Sequence, residues 1–360
     1  MKSELIDLFI ELVKIASPSG GEDNIKHIIQ EKLHQSCWQT EIDSGGNLLA
    51  FKKIRPSIWL TAHLDTVQQV GEMVTPIIEG QIIKSDGTTI LGADNKVGVA
   101  ILVYMATNTL VLDNCGLIFT ANEEAGVMSS AKADIGKYCP KLILNIDGSE
   151  PVGTVNNAGM GQIVFELDIY GKAAHAAKHP EDGVNAIEIA AKVISLIKQG
   201  KDENNNTCNV GKIEGGGATN VVSDYVKIIG EMRSIDNQSL KLNFEKLDSL
   251  VNRVCADSHS TYKLTYLEHS GVPVWMAKND SKLLKILRLA AIDCGVEFRA
   301  ETMYASSDAN YLCQYAPVFS ICHGGAKAHT KDEWIGVEEI LMAKKYVESN
   351  VLRFNKLLKY

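Results

Sequence analysis

The sequence predicts an α/β protein carrying a smaller inserted α+β domain, and two patterns predict it. Short apolar runs at 58–60, 116–121, 142–146 and 318–322 alternate with helical runs, which is how strands buried on both faces of a helix-covered sheet read. Between residues 162 and 272 the strands instead alternate apolar and polar residues, in the order strand, helix, strand, strand, helix, strand. That order is the ferredoxin-like split βαβ arrangement. The expected domains are therefore 1–161 with 273–360, and 162–272 inserted between them.

Taken in order, residues 2–16 have helical periodicity, with Leu5, Leu8, Phe9, Leu12 and Val13 on one face. Ser17-Pro18-Ser19-Gly20-Gly21 breaks it, and residues 22–33 read as a second helix. Strands are expected at 38–42, 47–52 and 58–62, and a strand-and-turn segment at 68–91. Residues 92–100 lead into an apolar helix reaching about 107, and strand 116–121 delivers Asn122-Glu123-Glu124-Ala125-Gly126, after which a helix is expected. Strand 142–146 delivers Asp147-Gly148-Ser149. The inserted domain reads as strands at 161–170, 207–214, 221–231 and 261–269, with helices at 183–198 and 240–256. Helix 281–294, strand 318–322 and a helix from about 337 complete the larger domain.

Bulk properties narrow the classes. The 360 residues are 45% hydrophobic and 22% charged, an ordinary globular composition. A net charge of -8 gives no basis for binding nucleic acid or an acidic membrane surface. No apolar run approaches the ~20 residues of a membrane span. The amphipathic N-terminus carries acids among its apolar positions and does not read as a signal peptide. Eight cysteines are scattered without a CxxC spacing, so neither a zinc knuckle nor a disulfide framework is indicated. A reducing cytoplasm is the expected location.

The chemistry gathers where buried strands end. His63 and Asp65 follow the apolar run 58–60 and, two apart, would share one face. A histidine bonded to a neighbouring aspartate would suffice for this pair alone. Asp94, Glu123, Glu124, Asp147 and His329 occupy comparable strand-end or loop positions, where open α/β sheets place their functional groups. Two histidines and five carboxylates are too much negative charge for one dry site, and bound divalent cations supply the missing positive charge. Mixed imidazole and carboxylate donors suit Zn²⁺, and also Co²⁺ or Mn²⁺. Of the adjacent acids Glu123 and Glu124, one can bind metal while the other stays free as a general base. His323 competes with His329, and Glu150 with Asp147, for a ligand role.

Six segments, HLDTV at 63–67, GADNKVG at 92–98, NEEAG at 122–126, NIDGS at 145–149, GKAAHAA at 171–177 and AHTKDEWI at 328–335, stand in the order of the M20 family. The chain resembles this family of di-zinc peptidases and deacylases over nearly its whole length. Within the family it most resembles the peptidase T branch of tripeptide aminopeptidases, through LGADNKVG and TNVVSD at 219–224. The branch tends to have aspartate where Asn95 stands.

The resemblance implies a mixed-sheet catalytic domain with helices on both faces and a lid domain through which some relatives dimerise. It implies two Zn²⁺ (Co²⁺ or Mn²⁺ as substitutes), one held by His63 and Asp147, the other by Glu124 and His329, with Asp94 bridging. Glu123 would be the general base and Asp65 would orient His63. A cis peptide is expected at Asp94-Asn95. In the lid, His175 would help stabilise the oxyanion, Arg233 would grip a substrate carboxylate, and Asn220 would accompany it. The implied reaction is hydrolysis of short peptides, tripeptides foremost, by a monomer or homodimer; an N-acyl amino acid deacylase or a dipeptidase is the alternative.

Overall fold

The computed structural model describes residues 4–266, 271–277 and 281–358. The chain divides into two units, Met1–Gly159 with Trp275–Tyr360, and Met160–Val274.

The first unit opens with α1 (Glu4–Val13), whose Leu5, Ile6, Phe9, Leu12 and Val13 are buried, the stripe expected of an amphipathic helix on a core. Next come α2 (Asp23–Gln35), β1 (Gln39–Ile42), β2 (Leu48–Phe51) and β3 (Ile58–His63). A hairpin of β4 (Pro76–Glu79) and β5 (Ile82–Ser85) precedes α3 (Ala93–Asn108), β6 (Cys115–Thr120), β7 (Leu142–Ile146) and β8 (Thr154–Gly159). No α-helix follows Gly126; the segment has only 3₁₀ turns at Ser130–Lys132 and Gly136–Tyr138. Val127 has φ +60°, and Ser129 Oγ bonds back to both backbone groups of Ala121. This segment is therefore tied to the end of β6 instead of starting a helix.

The second unit contains β9 (Gly161–Tyr170), α4 (Ala186–Leu196), β10 (Gly200–Lys201), β11 (Thr207–Gly215), β12 (Tyr225–Ser234), α5 (Asn237–Asp257) and β13 (Thr261–Tyr266). Its sheet runs β10-β11-β12-β9-β13 with every pair antiparallel. Setting aside the two-residue β10, this is the ferredoxin-like order. Residues on β12 alternate half-buried and buried along its whole length, and the buried ones pack with α4 and α5. The expected strand 261–269 ends at Tyr266, and 267–269 lie outside the described residues.

The first unit resumes with β14 (Trp275–Met276), α6 (Ser281–Cys294), β15 (Arg299–Met303), α7 (Ala309–Leu312), β16 (Val318–Ile321), β17 (Trp334–Gly336) and α8 (Val337–Leu357). Its large sheet runs β1-β2-β6-β3-β7-β16-β8-β14, with β15 also on β8, and is mixed: β6, β3, β7 and β16 run parallel while β2 and β8 run opposite. Leu48, Ala50, Leu60, Leu117, Phe119 and Leu144 pack with α1, α2, α3, α6 and α8. Their strand neighbours Leu49, Phe51, Trp59, Ile118 and Ile143 pack with Tyr138, Trp275 and Leu312 of α7. The strands are thus buried on both faces, as their unbroken apolar runs require. Among the described residues no helix is long and apolar enough to cross a membrane.

Candidate metal centre

Three neighbouring parallel strands, β6, β3 and β7, point their carboxyl ends the same way. His63 closes β3, Asp147 follows β7 and the Glu123-Glu124 pair lies just beyond β6. Asp94 comes from the first turn of α3, and His329 from the loop between β16 and β17. Three overlapping sets of donor atoms result: His63, Asp94 and Asp147; Asp94, Glu124 and His329; His63, Glu123 and Glu124. Within each set the atoms lie within 4.8 Å of one another.

The Asp94 carboxylate faces both histidines. Its Oδ1 is 3.2 Å from His63 Nε2 and its Oδ2 is 3.5 Å from His329 Nε2. Asp147 Oδ1 stands 4.0 Å from His63 Nε2, and Glu124 Oε1 stands 2.9 Å from His329 Nε2. Of the competing pairs, His329 and Asp147 are in these sets. His323 turns Nδ1 to Gly324 O at 2.9 Å, with Nε2 buried and without a hydrogen-bond partner. Glu150 Oε2 accepts from the Cys322 thiol at 3.2 Å.

The supports are mostly backbone-directed. His63 Nδ1 is 3.0 Å from Asp65 O; a carbonyl only accepts, so the proton sits on Nδ1 and the Nε2 lone pair points into the site. The Asp65 carboxylate lies farther from that ring, 3.5 Å at Oδ1. It accepts instead from the amides of Glu123 and Glu124, each at 3.0 Å, and from Ser19 Oγ at 2.7 Å. Asp65 thus fixes the acidic pair as well as lying beside His63. Asp94-Asn95 is a cis peptide. Asn95 Nδ2 donates to Ile146 O at 2.7 Å and its Oδ1 accepts from Gly98 N at 3.1 Å. A Cβ at Gly98 would lie 2.4 Å from that Oδ1 and 2.6 Å from Ile146 O, so only glycine lets α3 approach β7 this closely.

Glu333, 2% exposed, accepts from Gly92 N at 2.7 Å and Asp94 N at 3.0 Å, and burial raises it to about 7. Asp308 accepts from Thr120 Oγ1 at the end of β6, has its Oδ1 unpartnered, and is raised by burial to about 6. Sequence reasoning passed over both. Glu333 lies inside the AHTKDEWI segment and could have been singled out there; Asp308 lies in no segment that pointed to it.

The electrostatics are those of a site missing positive charge. Burial raises Glu123 well above the usual glutamate range, with Asp147, Asp308 and Glu124 adding to the effect and His63 opposing it. Burial, then the Asp94 charge, raises Asp147 to about 7. Burial alone would lower His63, but Asp65, Asp94, Glu123 and Asp147 carry it well above the ordinary histidine value. Asp94 and Glu124 raise His329 to about 10.

These residues fit divalent cations. Glu124 Oε1 is buried and makes no properly angled hydrogen bond despite an imidazole nitrogen 2.9 Å away. With Asp94 these two atoms form a donor set lying within 4.8 Å, compact enough for one ion. Because a bound cation needs both imidazoles unprotonated at Nε2, loading at neutral pH is expected to release about two protons. Apparent affinity should therefore fall with falling pH, His329 being an imidazolium until about 10 without metal. Titration calorimetry in two buffers of different ionisation enthalpy measures the release; a buffer-independent heat would overturn the expectation that both imidazoles are protonated before loading.

The second unit holds the three remaining candidates. His175 Nδ1 accepts from the amides of Ala177 and Lys178, each at 3.2 Å, so its proton is on Nε2, on an exposed side chain. Asn220 is exposed and its carbonyl accepts from Ala176 N at 2.9 Å. Arg233, on β12, makes a two-pronged pair with Glu231, Nε to Oε1 and Nη2 to Oε2, both 3.1 Å.

Residues 157–259 match the peptidase dimerisation domain of the M20 family. A Staphylococcus aureus tripeptidase superposes with a TM-score of 0.88 at 28% identity, over 96% of both chains. The aminopeptidase PepT of Bacillus cereus superposes at 0.87 and 28% identity, over 98% of both. The chain thus carries an M20 dimerisation domain, and its structural neighbours are peptidases of the M20 family. The chain is also 29% identical to the uncharacterized protein YqjE of Bacillus subtilis, over 96% of this chain and 97% of that one. Its mixed sheet and inserted α+β unit match those of M20 peptidase structures.

Proposed function

We propose that this chain is an M20 peptidase, a two-metal aminopeptidase of short peptides, tripeptides foremost. The observation that carries the reading is the Asp94 carboxylate, which gives one oxygen to the His63 and Asp147 set and the other to the Glu124 and His329 set. Two relatives that superpose over nearly the whole chain are a tripeptidase and an aminopeptidase. Two divalent cations, Zn²⁺ from the donor chemistry with Co²⁺ or Mn²⁺ as substitutes, would polarise the scissile carbonyl and acidify the attacking water. His63 and Asp147 would hold one cation and Glu124 and His329 the other, with Asp94 available to both. Glu123 removes the proton from the attacking water and returns it to the leaving amine; the raised pKa that burial gives it suits both tasks. Asp65 keeps Glu123 and Glu124 in place through their amides.

His175 offers its exposed Nε2–H to the developing oxyanion. Arg233, with Asn220, receives the substrate carboxylate, exchanging its Glu231 partner for it. Arg233→Ala should raise KM for free peptides about tenfold more than for C-terminally amidated ones; equal effects would remove the clamp. The match to a dimerisation domain favours a homodimer formed through the second unit.

The deciding experiment is a zinc-loaded assay against a tripeptide, its N-acetylated form and an N-acetyl amino acid. The tripeptide should be cleaved at least about a hundredfold faster than either blocked compound. Preferred turnover of the N-acetyl amino acid would make the protein a deacylase.

A further inference from the structure

Glu22 is 2% exposed and stands at the N-cap of α2, yet it makes no side-chain bond to that helix. A polar residue there ordinarily satisfies one of the helix's own free amides. Glu22 Oε1 instead accepts from Gly20 N at 2.9 Å and, one hundred residues away, from Asn122 N at 3.0 Å. Asn122 has φ +52° and immediately precedes Glu123. The next two amides, of Glu123 and Glu124, are held by Asp65. Three consecutive amides are thus held by two buried carboxylates from different parts of the chain. Asp65 also takes Ser19 Oγ at 2.7 Å, from the same short segment as Glu22. Lys96 is buried and donates to Ser17 Oγ; burial lowers it to about 7, against the opposing charges of Asp65 and Glu22.

We propose that Glu22 is a positioning residue for catalysis: its carboxylate sets the Asn122–Glu123 turn and so the place of the Glu123 carboxylate. The inference rests on Glu123 being the general base. Displacing a reacting group by about 1 Å costs on the order of a hundredfold in rate, and Glu22 acts on the residue directly before that group.

The test uses the full-length, metal-loaded enzyme with Glu22→Leu, Glu22→Asp, Glu22→Gln and, as a separate control, Glu123→Gln. Glu22→Leu should lower kcat about 10- to 100-fold with KM within about threefold and both cations retained. Glu22→Asp keeps the charge but withdraws it by one methylene, and should lose kcat in the same direction even if the leucine variant folds poorly. Glu22→Gln keeps an oxygen that can accept from both amides and should restore most of the turnover. Wild-type kcat in Glu22→Asp and Glu22→Leu, a rise in KM alone, or equal losses in Gln and Leu variants would each overturn the proposal. Full turnover by Glu123→Gln would instead overturn the general-base reading beneath it.

Discussion

Glu123→Gln is expected to keep both cations and to lose turnover by roughly 10²–10⁴-fold, the usual contribution of a positioned general base. Glutamine preserves shape and the amide hydrogen bond to Asp65, which comes from the main chain. Only the ability to hold a proton is removed. The acid limb of the pH–kcat profile, set by ionisation of Glu123 in the loaded enzyme, should vanish with it. Stability should move the other way. Burial raises the Glu123 pKa in the fold, so its ionisation costs stability once pH exceeds the unfolded glutamate value of about 4.3. The metal-free variant should consequently melt no lower than the parent at neutral pH. Metal analysis separates the readings: Glu123 belongs to one donor set with His63 and Glu124, and loss of a cation on substitution would make it a ligand rather than a base.

Where sequence and structure agree, a residue's own position carried the information. His63, Asp147 and the acidic pair follow apolar strands that can only be buried, and parallel neighbours bring such strand ends together. Asp94 and His329 were legible through their segments, and both arrive beside those strand ends. The inserted unit was legible because half-buried strands alternate, as β12 does along its whole length. The helix expected after Gly126 failed for a reason that local pattern does not carry. Ser129 satisfies the end of β6, and Val127 adopts a left-handed backbone.

Glu22, Asp308 and Glu333 were missed for a related reason. Each is a buried carboxylate whose partner is an amide or hydroxyl distant in the chain, 100, 188 and 239 to 241 residues away. For Glu22 and Glu333 the bond goes to backbone amides and leaves no mark on the partner's side-chain identity, and for Asp308 it goes to the hydroxyl of Thr120, one threonine among many, so no spacing rule reveals any of them. Asp65 belongs with them in part: its nearness to His63 was readable, its hold on two amides beyond β6 was not.

Asp94→Ala should abolish tight binding of both cations and drop activity below about 10⁻⁴ of the parent, whereas His329→Ala should keep one cation. The contrast follows from geometry. Asp94 contributes to both the His63–Asp147 set and the Glu124–His329 set, while His329 contributes to the second alone. The backbone at Asp94 is held independently of its side chain: Glu333 accepts from its amide at 3.0 Å and from that of Gly92 at 2.7 Å, so truncating the side chain should leave the loop in place and remove only the carboxylate common to both sets. Proton counting gives an independent check. Asp94 is the largest cause of the raised His329 pKa of about 10, followed by Glu124; without Asp94 that value should fall, moving the imidazole's titration toward neutrality. NMR of the His329 ring in the metal-free variant would show the move. If one cation still binds tightly after Asp94→Ala, the two sets do not depend on a common carboxylate. If two remain in His329→Ala, the buried, unpartnered Nε2 of His323 is the nitrogen to test as the replacement ligand.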